Sequence, residues 1–396
     1  MKNIIKIVLF ALIIMGVITL CLTYKSGNDI TENKQQKHNN LAIMIKEDGA
    51  SDYTKSSSKD IPIGDYTLNY GKSYCKNNGV IGDYDNTLGK VSFSFIGTDS
   101  CYLYFDYNSG PTFSDVVKVT PNLISSQDGT KYEIVDEYGI RYEGKDPDNY
   151  VCFLKDEDKN CEPDALYRII GKFNEKIGIN DETAIEQNVI KLVSSKAFND
   201  ETAPYNSDGT NNWETSDTFY YLNNNFLNNT LFGTAFFGEN LNVNLENKIL
   251  NAKWYFGGTQ IASGELTTYK SYTLERTKHY IDNPLYVYAK IGLINLSDFG
   301  FSVLIDYCDK TTVDVTEYGG SSLDCGEQNW LQMKNAWTLD TDSSTYNVAF
   351  CFEEPGIPEV SLTETSRNIY PTFYISASEK IASGDGSLNN PYIIAE

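Results

Sequence analysis

Strict alternation of apolar and polar positions in Val91-Ser-Phe-Ser-Phe95, followed by the mostly aromatic run Cys101-Tyr-Leu-Tyr-Phe-Asp-Tyr107, predicts two β-strands. Gly97-Thr-Asp-Ser100 between them reads as a turn, so the two are expected to form a hairpin. Further strands are expected over 116–120 and 131–135, across loops rich in Asn, Ser, Asp and Gly. Together they make residues 61–137 a small all-β, sandwich-like module. Past it, Asn149-Tyr-Val-Cys-Phe-Leu154 and Ala165-Leu-Tyr-Arg-Ile-Ile170 are β-rich runs on either side of an acidic loop, and 188–193 is a further strand.

The period then changes. Ser216 is placed to cap a helix in which Phe219, Leu222, Phe226 and Leu227 share one face, the pattern of a packed side. A second short helix is expected over 245–251, leading into a strand at 252–256 that Gly257-Gly258 closes. A strand over 289–296 precedes a long loop carrying Cys308 and Cys325. Short strands at 336–339, 348–352 and 369–375 and a turn-rich tail at 384–394 complete the chain. Residues 138–396 therefore read as one α+β domain with long surface loops, where binding usually sits.

The N-terminus is organised differently. Lys2 and Lys6 precede a stretch without charge at 7–24, and its eighteen residues span about 27 Å as a helix, enough to cross a hydrocarbon core. The basic flank keeps the N-terminus in the cytoplasm and exports the remainder. Residues 1–24 are thus expected to be an uncleaved signal anchor. A cleaved signal peptide is the rival, but no A-x-A-like site is present, and Leu20 before Cys21 spoils a lipoprotein box. Neither a pilin-type leader nor a sorting signal of the Leu-Pro-x-Thr-Gly kind occurs. Residues 25–60 are polar and poor in aromatics, a flexible spacer. Within it, 41–45 is a short apolar stretch with no evident partner.

Composition narrows the function classes. A formal net charge of −22 over 396 residues argues against nucleic acid and against a polybasic membrane patch. Tyrosine is abundant at 29 residues, which gives slight weight to a tyrosine-lined recognition surface. Only two histidines are present, His38 in the spacer and His279, so His-based triads and Zn²⁺ sites are disfavoured. There is no Gly-x-Ser-x-Gly elbow, Walker loop or dinucleotide fingerprint.

Arg141-Tyr-Glu-Gly-Lys-Asp-Pro-Asp-Asn-Tyr-Val-Cys-Phe153 and Ala165-Leu-Tyr-Arg-Ile-Ile-Gly-Lys-Phe173 resemble the Arg-Tyr-x-Gly-x-x-Pro-x-Asn-Tyr-Val-x-Phe…Leu-Trp/Tyr-Arg-Ile-Ile-Gly-x-Phe signature of a family of surface proteins from Firmicutes and related gut bacteria. Later blocks keep that family's order: WETSDTFYYLNNNFLN, AKWYFGG, AKIGLINLSDFGF, NWLQ, AWTLD, RNIYPTFYIS and SGDGSLNNPYII. The resemblance covers about 139–396. It departs at Asn368-Ile-Tyr-Pro371, where the family has Gly-Val-Arg-Pro and this chain has Tyr370 in place of the arginine. The Trp-rich C-terminal half is more distantly similar to C-type-lectin and formylglycine-generating-enzyme-like domains, which implies a compact core with variable loops. The family brings no activity with it.

Eight cysteines include Cys21 in the anchor. In an exported chain the others are expected to oxidise locally as Cys75–Cys101, Cys152–Cys161 and Cys308–Cys325. Cys351, in Val-Ala-Phe-Cys-Phe, is left as a buried strand thiol, with a reactive thiol or another pairing as alternatives. Formylglycine-type oxidation would need an accessible copper-binding thiol pair, and Cys308 and Cys325 fit a staple better.

Carboxylates are frequent without any pair standing out for glycoside hydrolysis. Asp340 and Asp342, Asp83 with Asp85 and Asn86, and Asp156 with Asp158 have spacings a Ca²⁺ loop uses, the first pair being the best metal candidate. Beyond Ca²⁺, no cofactor is expected. Trp330, beside Asn329 and after a loop, is expected to be partly exposed and to contact ligand, while Trp213, Trp254 and Trp337 are expected in the core. The expectation as a whole is a single-pass cell-membrane protein with extracellular domains, a non-enzymatic binding or adhesion module for an unidentified glycan or protein. A structural envelope component and a glycan or peptidoglycan hydrolase are the competing readings.

Overall fold

The computed structural model describes residues 40–395 except 48–49, 87, 95–97, 108–109, 118–138, 156–159, 199–201, 227–247, 259–265, 305–307, 320–324 and 354–356. The expected anchor at 7–24 and the expected strand at 131–135 lie outside the described residues. Among those described, no helix is long and apolar enough to cross a membrane.

The first seven strands are β1 (Asn40–Lys46), β2 (Thr54–Lys55), β3 (Tyr66–Leu68), β4 (Tyr74–Cys75), β5 (Val80–Asp85), β6 (Lys90–Ser94) and β7 (Ser100–Tyr107). The stretch at 41–45 is not spacer. It is the heart of β1, which runs parallel to β7 from Asn40 opposite Ser100 to Lys46 opposite Asp106. The expected hairpin is also corrected: β6 pairs with β5, not with β7. A strand has two edges, and those of β7 are taken by β1 on one side and by β3 and β4 on the other. Alternation decides which face of β7 is inside. Cys101, Leu103 and Phe105 are buried, and the last two join Ile43, Leu68 and Tyr84 in a small hydrophobic core that the β5–β6 ribbon covers. Cys75 sits directly opposite Cys101 in the register, and the two are disulfide-bonded.

A helical turn, α1 (Phe113–Val116), includes residue 116, where a strand was expected to begin, and 118–120 lie outside the described residues. Thr112 and Asp115 form a capping box that starts it. The main sheet is built first from β8 (Ile140–Arg141), β9 (Tyr150–Cys152), β10 (Leu166–Ile177) and β11 (Ile185–Ser194). The β-rich runs on either side of the acidic loop pair as anticipated, Leu166 opposite Cys152 and Tyr167 opposite Val151, with Cys152–Cys161 closing the loop. The long β10–β11 hairpin is the centre of a ten-stranded sheet.

The remaining strands are β12 (Thr202–Pro204), β13 (Ala252–Tyr255), β14 (Tyr286–Ala289), β15 (Ile291–Gly292), β16 (Ala336–Thr341), β17 (Val348–Phe352), β18 (Pro358–Leu362), β19 (Ser366–Asn368), β20 (Thr372–Ser376), β21 (Ile381–Ser383) and β22 (Tyr392–Ile394). The order β15-β20-β11-β10-β9-β22-β21 runs across the main sheet, with β8, β13 and β14 attached to it. A second, five-stranded sheet has the order β12-β19-β16-β17-β18.

Three short helices complete the elements: α2 (Asp217–Tyr220), α3 (Thr268–Glu275) and α4 (Leu296–Phe301). Ser216 caps α2, its Oγ accepting from Phe219 N at 3.0 Å, and Phe219 and Leu222 pack on the core. Leu227 and the Phe226 side chain lie outside the described residues. Of the helix expected over 245–251, only Lys248 is helical among the described residues. The strand expected over 289–296 is interrupted: β14 and β15 are two short strands, and Leu296 already begins α4, whose Asn295–Asp298 capping box diverts the chain. α3 has no apolar stripe to announce it. The result is a mostly β fold with few helices and three disulfides, in which residues from Asn40 onward cluster as one compact unit with two hydrophobic cores.

Candidate functional site

A cleft of about 680 Å³ opens where the small sheet meets the main one. Its geometry begins at Gly82. A Cβ there would fall 1.6 Å from Ile185 Cδ1, so any larger residue would force the Ile185 side chain to shift where β5 lies against β11. The approach brings Asp83 within reach of the main sheet, where its Oδ2 accepts from Asn188 N at 2.9 Å. Across the opening, α1 presents Thr112, Ser114 and Asp115. Asp115 Oδ2 is held by Thr112 N at 2.9 Å and Thr112 Oγ1 at 2.7 Å. Tyr66 and Tyr84 form part of the wall, the latter fixed by its hydroxyl donating to Pro62 O at 2.6 Å.

The lining combines hydroxyls, carboxylates and one ammonium, Lys90, with apolar surface of at least equal extent. Burial pushes the Asp83 carboxyl up to about 6, against the opposing pull of the Asn188 N–H and the Gln187 side chain. Near neutrality Asp83 is therefore able to change protonation state. A site of this size and composition offers convergent donors and acceptors for a small polyhydroxylated molecule. Asp83 and Asp85 had signalled themselves in the sequence only as a loop of Ca²⁺-like spacing.

Trp330 is not an exposed contact. It is 7 % exposed, its Nε1 donates to Tyr142 O at 2.9 Å, and the Arg168 guanidinium lies 4.4 Å above its ring. Arg168 covers the face that the loop leaves bare, a cation–π contact that closes the site. Trp213, Trp254 and Trp337 are buried as expected.

Asp340 and Asp342 are both buried and engaged with protein donors. Asp340 Oδ2 accepts from Leu296 N at 2.7 Å, and Asp342 Oδ1 accepts from Ser344 N and Ser344 Oγ, each at 2.6 Å. Burial, with the Glu275 carboxylate hydrogen-bonded beside it, pushes Asp340 well above the usual carboxylate range. Both carboxyls of the expected pair are thus engaged by donors of the protein itself. Among the described residues no three His, Cys, Asp or Glu side chains are grouped to hold a metal. Asp156 and Asp158 lie outside the described residues. His279 is half-buried, its Nδ1 2.9 Å from Tyr280 O.

Cys308 and Cys325 are joined as anticipated, and Cys351 is a buried free thiol that burial pushes up to about 12. At that value it is not a nucleophile near neutral pH.

A buried ion cluster was not anticipated. Arg141 and Lys191 both bind Asp298, Lys191 Nζ at 2.6 Å from Oδ2, and all three side chains are at most 4 % exposed. Burial raises the Asp298 carboxyl, but the two cations outweigh it and hold it at about 2. The available signal was the three-residue spacing of Asn295 and Asp298, a capping-box interval. No family model matches the chain, and no curated protein and no solved structure matches it.

Proposed function

We propose that this protein is an envelope-anchored, extracellular recognition protein that binds a carbohydrate in the cleft between its small sheet and its main sheet. The observation that carries the reading is the cleft itself, lined by Asp83, Asp115, Lys90, Tyr66 and several hydroxyls. Supporting it are the uncharged segment at 7–24, the three disulfides suited to an oxidising compartment, and the resemblance of 139–396 to bacterial surface proteins. The α+β, C-type-lectin-like description of the larger region belongs to the same proposal.

The test is binding of the purified protein to glycan and host-matrix arrays, in Ca²⁺ and then in EDTA. A glycan signal lost in Asp83→Ala and Tyr66→Ala supports the reading. A signal on matrix proteins only, or on nothing, overturns it and favours a structural envelope role.

One observation favours a second reading. Asp83 is pushed up to about 6 while Asp85 and Asp115 line the same cleft, and glycoside hydrolysis uses one protonated and one ionised carboxyl. Release of reducing ends from the bound glycan, abolished by Asp83→Asn, would replace recognition by hydrolysis.

A further inference from the structure

A second cavity, of about 310 Å³, lies beside the first, with Thr67 lining both. From the small sheet it receives Lys46, Glu47, Asn69 and Asp106, and from the main sheet Lys248, Glu379 and Lys380. Its charges are balanced in number, three ammoniums against three carboxylates, but they are unequally satisfied.

Lys248 Nζ is paired with Glu379 Oε2 at 2.6 Å and also donates to Ala395 O at 3.2 Å. Lys380 is different. It is 7 % exposed, yet among the described residues no carboxylate lies within ion-pair distance of its ammonium. The body of the side chain is buried, but its Nζ is not among the buried atoms that lack a hydrogen bond, so the ammonium is presented to the open cavity. Lys46, at the end of β1, lines the same space and likewise has no ion-pair partner among the described residues. Opposite in sign, Glu47 and Asp106 are engaged only by neutral donors. Glu47 accepts from Tyr66 OH at 2.8 Å, and Asp106 from Tyr53 OH at 2.7 Å and Asn69 Nδ2 at 2.8 Å. Among the described residues the cavity therefore holds two cations without an ion-paired anion and two carboxylates without an ion-paired cation.

We infer that this cavity binds a small zwitterion of the amino-acid class, its carboxylate on Lys380 and Lys46 and its ammonium toward Glu47 and Asp106. Neither half of such a ligand satisfies the cavity alone. A free anion would leave the carboxylates uncompensated, and a free amine would leave the lysines so.

The experiment is titration calorimetry and thermal melting of the purified full-length protein with glycine, L-alanine, D-alanine, acetate, methylammonium and inorganic phosphate as separate probes. The expected result is saturable binding of at least one amino acid, about tenfold or more tighter than acetate, methylammonium or phosphate. Lys380→Met should abolish that binding while leaving the melting temperature of the ligand-free protein close to that of the wild type, since the ammonium it removes has no ion-pair partner among the described residues. Asp83→Asn, in the neighbouring cleft, should leave it unchanged. Acetate or phosphate binding as tightly as the amino acids would make this a plain anion site and overturn the zwitterion assignment. So would the absence of binding by every amino acid, or a ligand response that survives in Lys380→Met.

Discussion

Lys191 donates to Asp298 at 2.6 Å across 107 positions of sequence, and Arg141 holds the other carboxylate oxygen of the same residue. The contact ties β8 and β11 of the main sheet to the buried helix α4, so one carboxylate fixes three elements. Asp298→Asn removes the carboxylate that both cations bind and is expected to destabilise by about 3–5 kcal/mol in urea denaturation. The wild-type contribution of Asp298 has a definite pH dependence. Its folded value, about 2, lies below the unfolded one, so the stabilisation is present above about 4 and is lost as pH falls toward 2.

Asp83 has the opposite sign. Its folded value is raised to about 6, so stability is greatest where it is protonated in both states and declines as pH rises from about 4 to about 6. Asp83→Asn should remove that part of the slope and leave melting temperature flatter through this window. Parallel thermal melts of the two proteins in a pH series provide the measurement.

The raised pKa of Asp340 beside Glu275 predicts stability that is lost as pH climbs above the ordinary carboxylate range. Raising the pH through its elevated pKa places two carboxylates against each other under α4, and stability should fall. Asp340→Asn retains a donor for Glu275 without titrating. An ascending pH series should show the wild type losing stability faster than the variant.

Trp330 is a packing residue closed by Arg168, so Trp330→Ala should cost about 3–5 kcal/mol. Glycan binding measured below the melting temperature should be unaffected, because Trp330 does not line the cleft. Loss of binding at full foldedness would restore Trp330 as a contact.

Thiol labelling separates the cysteines. In the native protein Cys351 should resist alkylation, being fully buried in β17, and should react on unfolding without reductant. The six bridged cysteines should label only after reduction. Opening the 17-residue separation between Cys308 and Cys325 should cost on the order of 3 kcal/mol.

Much of the fold was legible locally. The strands around the Cys152–Cys161 loop, the Ser216 cap and the three disulfides arise from short-range pattern, since each joins residues no more than 26 positions apart. The candidate cleft was not legible. Asp83 has its pKa raised by burial in the folded molecule, against the pull of an Asn188 N–H more than a hundred positions away, and the spacing of Asp83 and Asp85 carries no trace of either. Trp330 was misread for a related reason. Its loop position suggested exposure, and the guanidinium that covers it comes from β10.

The amino-acid order by itself determined the β-rich character, the local pairings of cysteine and the contrast between an uncharged N-terminal segment and the polar stretch after it. Alternation, turn residues and loop closure are short-range properties. Tertiary structure alone decided that residues 41–45 form a strand. An isolated apolar pentad has no preferred state until an edge is offered, and β7 offers one from 60 positions away. It also decided which of many acidic residues matter, because a carboxylate's chemistry is set by burial and by neighbours brought from remote parts of the chain.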